Sequence, residues 1–209
     1  TVDCGNFMCC LLALKQGLGE IARNDSSFLT LISRIQKLLD ECDLSFLYDK
    51  KRGLFHIGFD VSSEELTQSF YDLYISEARM TSFFNVAKRK VPVKHWQSLD
   101  RTLARSGRYA GAVSWTGTMF EYFMSTLFLP VYENSFEYEA LKFCLHEQKK
   151  RVAGTKIPYG ISESGFYSFD NSLNYRYKAH GIKSTAMKRK ADDELVISPY
   201  STFLTLPFE

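Results

Sequence analysis

The sequence carries almost no excess of charge: 26 Lys and Arg stand against 24 Asp and Glu, a formal net charge of +2. A dedicated nucleic-acid binder shows a strong basic excess, so that class is set aside, and no nucleic-acid partner is expected. Cysteine is sparse and odd in number: Cys4, Cys9, Cys10, Cys42 and Cys144 contain no CxxC pair. Neither a disulfide framework nor a zinc site follows, and a reducing compartment fits. His56, His95, His146 and His180 are dispersed, without HxxxH or HxH spacing. No metal and no cofactor is therefore expected. No apolar run approaches the ~20 residues needed to cross a bilayer. The most hydrophobic stretch, Met119 to Val131, is shorter and contains Glu121, so direct membrane insertion by this segment is not expected. There is no signal peptide, and the chain opens on Thr1 rather than Met. That reads as an entry into the middle of something larger.

What is present is length enough for one domain with a real core, at 209 residues, and apolar residues at helical spacing. Phe7, Leu11, Leu14 and Leu18 form one face of a first helix. Phe28, Leu31, Ile32, Ile35, Leu38 and Leu39 form a second, with Asp25, Ser26 and Ser27 as cap candidates. Ser62-Ser63-Glu64-Glu65 reads as the start of a helix running through Phe70, Leu73, Tyr74 and Phe83 towards Val86. Further helices are predicted over 116–129, stopped by Pro130, over 136–152, closed by Gly154, and over 193–206. Strand signals are thin, and only 54–59 alternates weakly, as a short hairpin arm. The 157–190 region, rich in Gly, Ser, Asn and Tyr, reads as a long irregular loop of the kind that carries function. The basic runs Lys50-Lys51-Arg52, Lys88-Arg89-Lys90, Lys149-Lys150-Arg151 and Lys188-Arg189-Lys190 read as solvated helix ends. Helices joined by such loops suit an α/α toroid or an irregular bundle.

Three carboxylates stand out by neighbourhood. Glu77 lies in a predicted helix lined with aromatics, Glu121 between hydrophobic residues on both sides, and Glu163 in Gly160-Ile161-Ser162-Glu163-Ser164-Gly165 at the head of the loop region. Cleaving a glycosidic bond needs two carboxyl groups whose environments separate their pKa values. Each of the three also has a plain role open to it. Glu77 could pair with a cation one helical turn away, Glu121 could brace a helix (the favoured reading), and Glu163 could cap a turn. Trp96, Trp115, Tyr159, Tyr167, Tyr175 and Tyr177, in or near polar loop segments, offer faces for sugar rings; aromatics at helical spacing are more often core.

Ordered blocks along nearly the whole chain resemble the glycoamylase-like domain family, and most closely the cyclization domain of cyclic β-1,2-glucan synthases. The blocks include Thr1 to Asn6, Leu12 to Gly17, Phe46 to Asp49, Phe55 to Asp60, Ser69 to Leu73, Ser76 to Arg79, Ser114 to Tyr122, Gly160 to Ser164, Asn174 to Lys178 and Ser198 to Tyr200. The resemblance implies an all-α fold, part of an (α/α)6 toroid with long loops around a cleft. It also implies a domain over 1–209 that is incomplete at both ends. It implies retaining transglycosylation that cyclizes linear β-1,2-glucan, with Glu163 as nucleophile and Glu77 as general acid/base. Asp72 and Glu121 fall in matching blocks as cleft residues, and Trp115, Tyr175, Tyr177 and Lys178 as substrate-binding ones. The implied partners are a β-1,2-glucan and the remainder of a large multidomain chain, a cytoplasmic part of an inner-membrane synthase. An endo-β-1,2-glucanase is the nearest competitor, and a non-enzymatic glucan- or protein-binding helical module the rival from another class.

Overall fold

The computed structural model describes residues 1–23 and 25–208, which fall into two compact units. The first unit comprises Thr1–Asp72 and Ala78–Leu99. The second comprises Leu73–Glu77 and the chain from Asp100 onward.

The first unit opens with α1 (Val2–Ile21), which packs against α2 (Leu29–Glu41) and α3 (Arg79–Ala87). Ile35 and Leu39 of α2 are buried as the spacing predicts. The α1 face is rotated from the expected one: Met8, Cys9 and Leu18 are buried, whereas Phe7 and Leu14 are exposed. The rotation follows from Gly5, whose missing Cβ lets the backbone of Thr81 come within 2.6 Å of where that atom would stand. Between α2 and α3 run β1 (Tyr48–Asp49), β2 (Leu54–His56), β3 (Phe59–Asp60), β4 (Glu65–Leu66) and β5 (Phe70–Tyr71). They form a β1-β2-β5 sheet and a β3–β4 hairpin, all antiparallel. The unit closes with α4 (Lys94–Ser98), whose His95 is buried against Tyr48 and Phe55. Both its ring nitrogens are used, at 2.8 Å from the Gly53 carbonyl and 2.9 Å from Ser82 Oγ.

In the second unit β6 (Leu103–Ser106) and β7 (Tyr109–Ala112) form a hairpin that packs on α6 (Phe136–Arg151), and α5 (Met119–Phe123) lies against the same helix. Ile75, Ala112, Met119, Tyr122, Phe123, Ala140, Leu141 and Cys144 make the core. β8 (Glu163–Phe169) and β9 (Tyr175–Ala179) form an antiparallel hairpin, and α7 (Pro199–Phe203) follows.

The all-α toroid expected from the sequence is therefore corrected: among the described residues nine strands build four small antiparallel sheets beside the helices. The helix expected from 62 to 86 exists only from Arg79 onward, because Asp60 accepts from the Ser62 and Ser63 amides and turns the chain into β4. Asp170 acts likewise between β8 and β9, accepting from the Ser172 and Asn174 amides at 2.8 and 2.9 Å. The expected 193–206 helix shrinks to α7, and the 116–129 helix to α5 plus a 3-10 turn. No helix among the described residues is long and apolar enough to cross a membrane.

Candidate active site

Glu163 begins β8, paired with Ala179, and the register sets Gly165 opposite Tyr177. Alternation along a strand then puts Glu163 and Tyr177 on one face of the hairpin, one diagonal step apart. The Tyr177 hydroxyl donates to the Glu163 carboxylate. Burial pushes the Glu163 carboxyl above its ordinary value, the Tyr177 hydrogen bond opposes the rise, and the nearby charge of Glu121 adds to it.

Glu77 is half-buried and lies in a turn rather than the predicted helix. The segment that carries it is held in the second unit by Ile75, fully buried in the core, and by the Tyr74 amide on the Asp100 carbonyl at 2.9 Å. The charge of Glu77 raises the phenols of both Tyr177 and Tyr200, and so does that of Glu163. In both phenols burial is the larger cause. Two acids far apart along the chain thus act on the same pair of tyrosines.

Glu121 is 7% exposed and closes a capping box with Thr118 at the start of α5. Its carboxylate accepts from Ser114 Oγ at 2.7 Å and from the Thr116 and Thr118 amides at 3.1 Å each. It thereby shapes the loop from which Trp115 projects, 57% exposed. Lys178 Nζ is held by Asp193 at 2.5 Å and Glu194 at 2.8 Å. Tyr177 and Lys178 line an open groove of about 410 Å³ with Phe166, Arg176, Asp193 and Glu194. Tyr175 is exposed and packs its ring 4.8 Å from that of Phe169. Asp72 is an exposed residue after β5 and belongs to the first unit, whereas the other seven candidates belong to the second. Burial pushes the Cys9 thiol up to about 11 and that of Cys144 well above its ordinary value, so neither is a thiolate nucleophile. Cys9 is buried and the adjacent Cys10 exposed.

The residues that sequence reading missed are those holding the Glu163 strand. Gln148, fully buried on α6, accepts from the Ile161 amide and donates to the Ile161 carbonyl, both at 2.9 Å. Ser162 Oγ accepts from the Phe120 amide at 3.0 Å and lies 3.0 Å from Tyr200 Oη. None of these partners is local, so no short-range pattern marks them.

No family model matches the chain. Over 192 residues, 92% of this chain, it is 34% identical to the cyclic beta-(1,2)-glucan synthase NdvB of Rhizobium meliloti (strain 1021). The chain spans only 7% of that relative's length. By sequence, then, the chain is a homologue of one segment of a cyclic β-(1,2)-glucan synthase.

Proposed function

We propose that this chain carries the two catalytic carboxyls of a retaining transglycosylase that closes linear β-1,2-glucan into rings. The observation behind the proposal is that the charges of Glu163 and Glu77 both reach the phenols of Tyr177 and Tyr200. In the first step Glu77 protonates the glycosidic oxygen while a Glu163 oxygen attacks the anomeric carbon, forming a glycosyl ester and releasing the leaving sugar. In the second, Glu77 removes the proton from a hydroxyl at the far end of the bound chain, and that oxygen displaces Glu163. Trp115, Tyr175, Tyr177 and Lys178 contact the glucan in this reading, and Glu121 braces the loop that carries Trp115. The homology supports the substrate class, and the reach of both charges to the same phenols supports the pairing.

One observation pulls the other way on roles. A carboxyl raised by burial suits a proton donor, whereas the phenol donating to Glu163 suits a group that must stay ionised. We assign attack to Glu163 because that hydrogen bond favours its charged form and because the family resemblance carries the nucleophile to this position.

The test is to incubate the full-length protein with linear β-1,2-glucan and weigh the products. Cyclic products are lighter by one water than linear ones of equal length, and their new linkage retains the anomeric configuration. Glu163→Gln and Glu77→Gln each abolish turnover. Full activity in either variant overturns the assignment, and linear products alone point to the hydrolase.

A further inference from the structure

The backbone leading into Glu163 is held with unusual completeness. The Tyr159 carbonyl accepts from Thr202 Oγ1 at 2.9 Å and the Gly160 carbonyl from the Ser198 amide at 2.8 Å. The Ile161 carbonyl takes Gln148, the Ser162 carbonyl takes Ser198 Oγ at 3.1 Å, and the Glu163 carbonyl takes Tyr200 Oη at 3.0 Å. All but one of these donors come from the short stretch from Ser198 to Thr202, and Ile197 just before it bridges Ile161 just before the strand. Gly160 sits at φ +134°, and a Cβ there would stand 2.7 Å from Thr202 Oγ1, so the two segments lie too close for a side chain between them.

Within this clasp Tyr200 differs from the other donors because it ends on the Glu163 peptide itself. Its hydroxyl has one hydrogen, given to the Glu163 carbonyl. The Ser162 hydroxyl, which accepts from the Phe120 amide, can then donate to Tyr200 Oη. A chain of hydrogen bonds therefore runs from the start of α5 through Ser162 and Tyr200 into the peptide that carries the acid. Each link polarises the next, and the rigid end of it is the buried start of α5. Attack on an anomeric carbon depends on placing one carboxylate oxygen within a few tenths of an ångström. Burial raises the Tyr200 phenol, and the charges of Glu163 and Glu77 add to the rise.

We propose that Tyr200 is a positioning residue of the reaction, fixing the Glu163 peptide through its hydroxyl so that the carboxylate meets the anomeric carbon in line. This rests on the reading of Glu163 as the attacking group. Its loss acts on the chemical step rather than on glucan binding, because the ring of Tyr200 remains in Tyr200→Phe and only the tether goes.

The test compares Tyr200→Phe with Thr202→Val in the full-length protein, using linear β-1,2-glucan and Glu163→Gln as the reference for the site. Thr202→Val removes a clasp bond of the same kind, but at the Tyr159 carbonyl, away from the acid. The expected result is a kcat lowered about tenfold in Tyr200→Phe with KM within about twofold of the parent, and a kcat within about twofold of the parent in Thr202→Val. A parental kcat in Tyr200→Phe, with Glu163→Gln inactive, overturns the positioning role and leaves the catalytic reading standing. Equal losses in the two variants that follow their melting temperatures overturn it as well, since the hydroxyl would then serve the fold alone. An active Glu163→Gln overturns both readings together.

Discussion

The Tyr177 hydroxyl and the Glu163 carboxylate meet across the β8–β9 hairpin because the register offsets them by one diagonal step on the same face. The contact opposes the two effects that favour the protonated acid, burial and the charge of Glu121. An attacking carboxylate in a partly dry site needs such a donor, since desolvation alone would leave it protonated over more of the pH range.

Replacing Tyr177 by Phe removes the donor and keeps the ring. The Glu163 carboxyl, already above its ordinary value, then rises further, and the acid limb of kcat/KM moves to higher pH. The sign is fixed: the ionised form loses a stabilising bond, so protonation persists to higher pH. In stability the same raised carboxyl favours the folded state below the ordinary carboxyl range, and that contribution is lost as pH rises through the folded value. A pH–rate profile with an unmoved acid limb would separate Tyr177 from the ionisation of Glu163.

What could be read from the residues beforehand divides by length. α2 was legible because its 13 residues display a 3.6 period, and the 16-residue α6 because Gly154 marks where it closes. Of the strands only β2, inside the weakly alternating 54–59, was legible, since most span two to four residues, too few for a period of two to repeat. The 163–179 hairpin is the instructive miss. Tyr167, Phe169, Tyr175 and Tyr177 do alternate with other residues, but they face solvent, and the Gly, Ser and Asn around them suggested a loop. The acids at Glu77 and Glu163 were found through ordered blocks of resemblance, not through local chemistry. Tyr200, Gln148 and Ser162 act through contacts made only once the chain has folded.

Glu121 offers a direct separation of a bracing role from a contact with sugar. Both its oxygens face donors: Thr116 N lies 3.1 and 3.2 Å from Oε1 and Oε2, and Ser114 Oγ and Thr118 N converge on Oε2. Glu121→Gln keeps an acceptor at the Oε2 position but sets an NH₂ group about 3.1 Å from the buried Thr116 N–H, donor against donor. The expected loss is about 2–4 kcal/mol in unfolding free energy, read from the urea midpoint at constant m-value. Unchanged stability with a raised KM would instead assign the carboxylate to the glucan.

Gln148 carries the sharpest stability test, because its amide does two jobs for a single residue. Its side-chain oxygen takes the Ile161 N–H and its NH₂ supplies the Ile161 carbonyl, each at 2.9 Å, with no exposure to water. The side chain thus mimics a neighbouring strand at the point where α6 meets the approach to Glu163. Gln148→Met fills nearly the same volume but leaves the Ile161 N–H without that acceptor, while its carbonyl keeps only the Met119 amide at 3.3 Å. One orphaned donor and one weakened acceptor in the core cost about 2–4 kcal/mol. Gln148→Glu distinguishes this from packing: the carboxylate still accepts the N–H, but below its own pKa it can also donate to the carbonyl. Its stability relative to the parent should therefore improve as pH falls, whereas the deficit of the Met variant stays flat. Chemical denaturation of both variants across pH would show this, and two flat, equal deficits would mean that the amide's shape, not its hydrogen bonds, holds the strand.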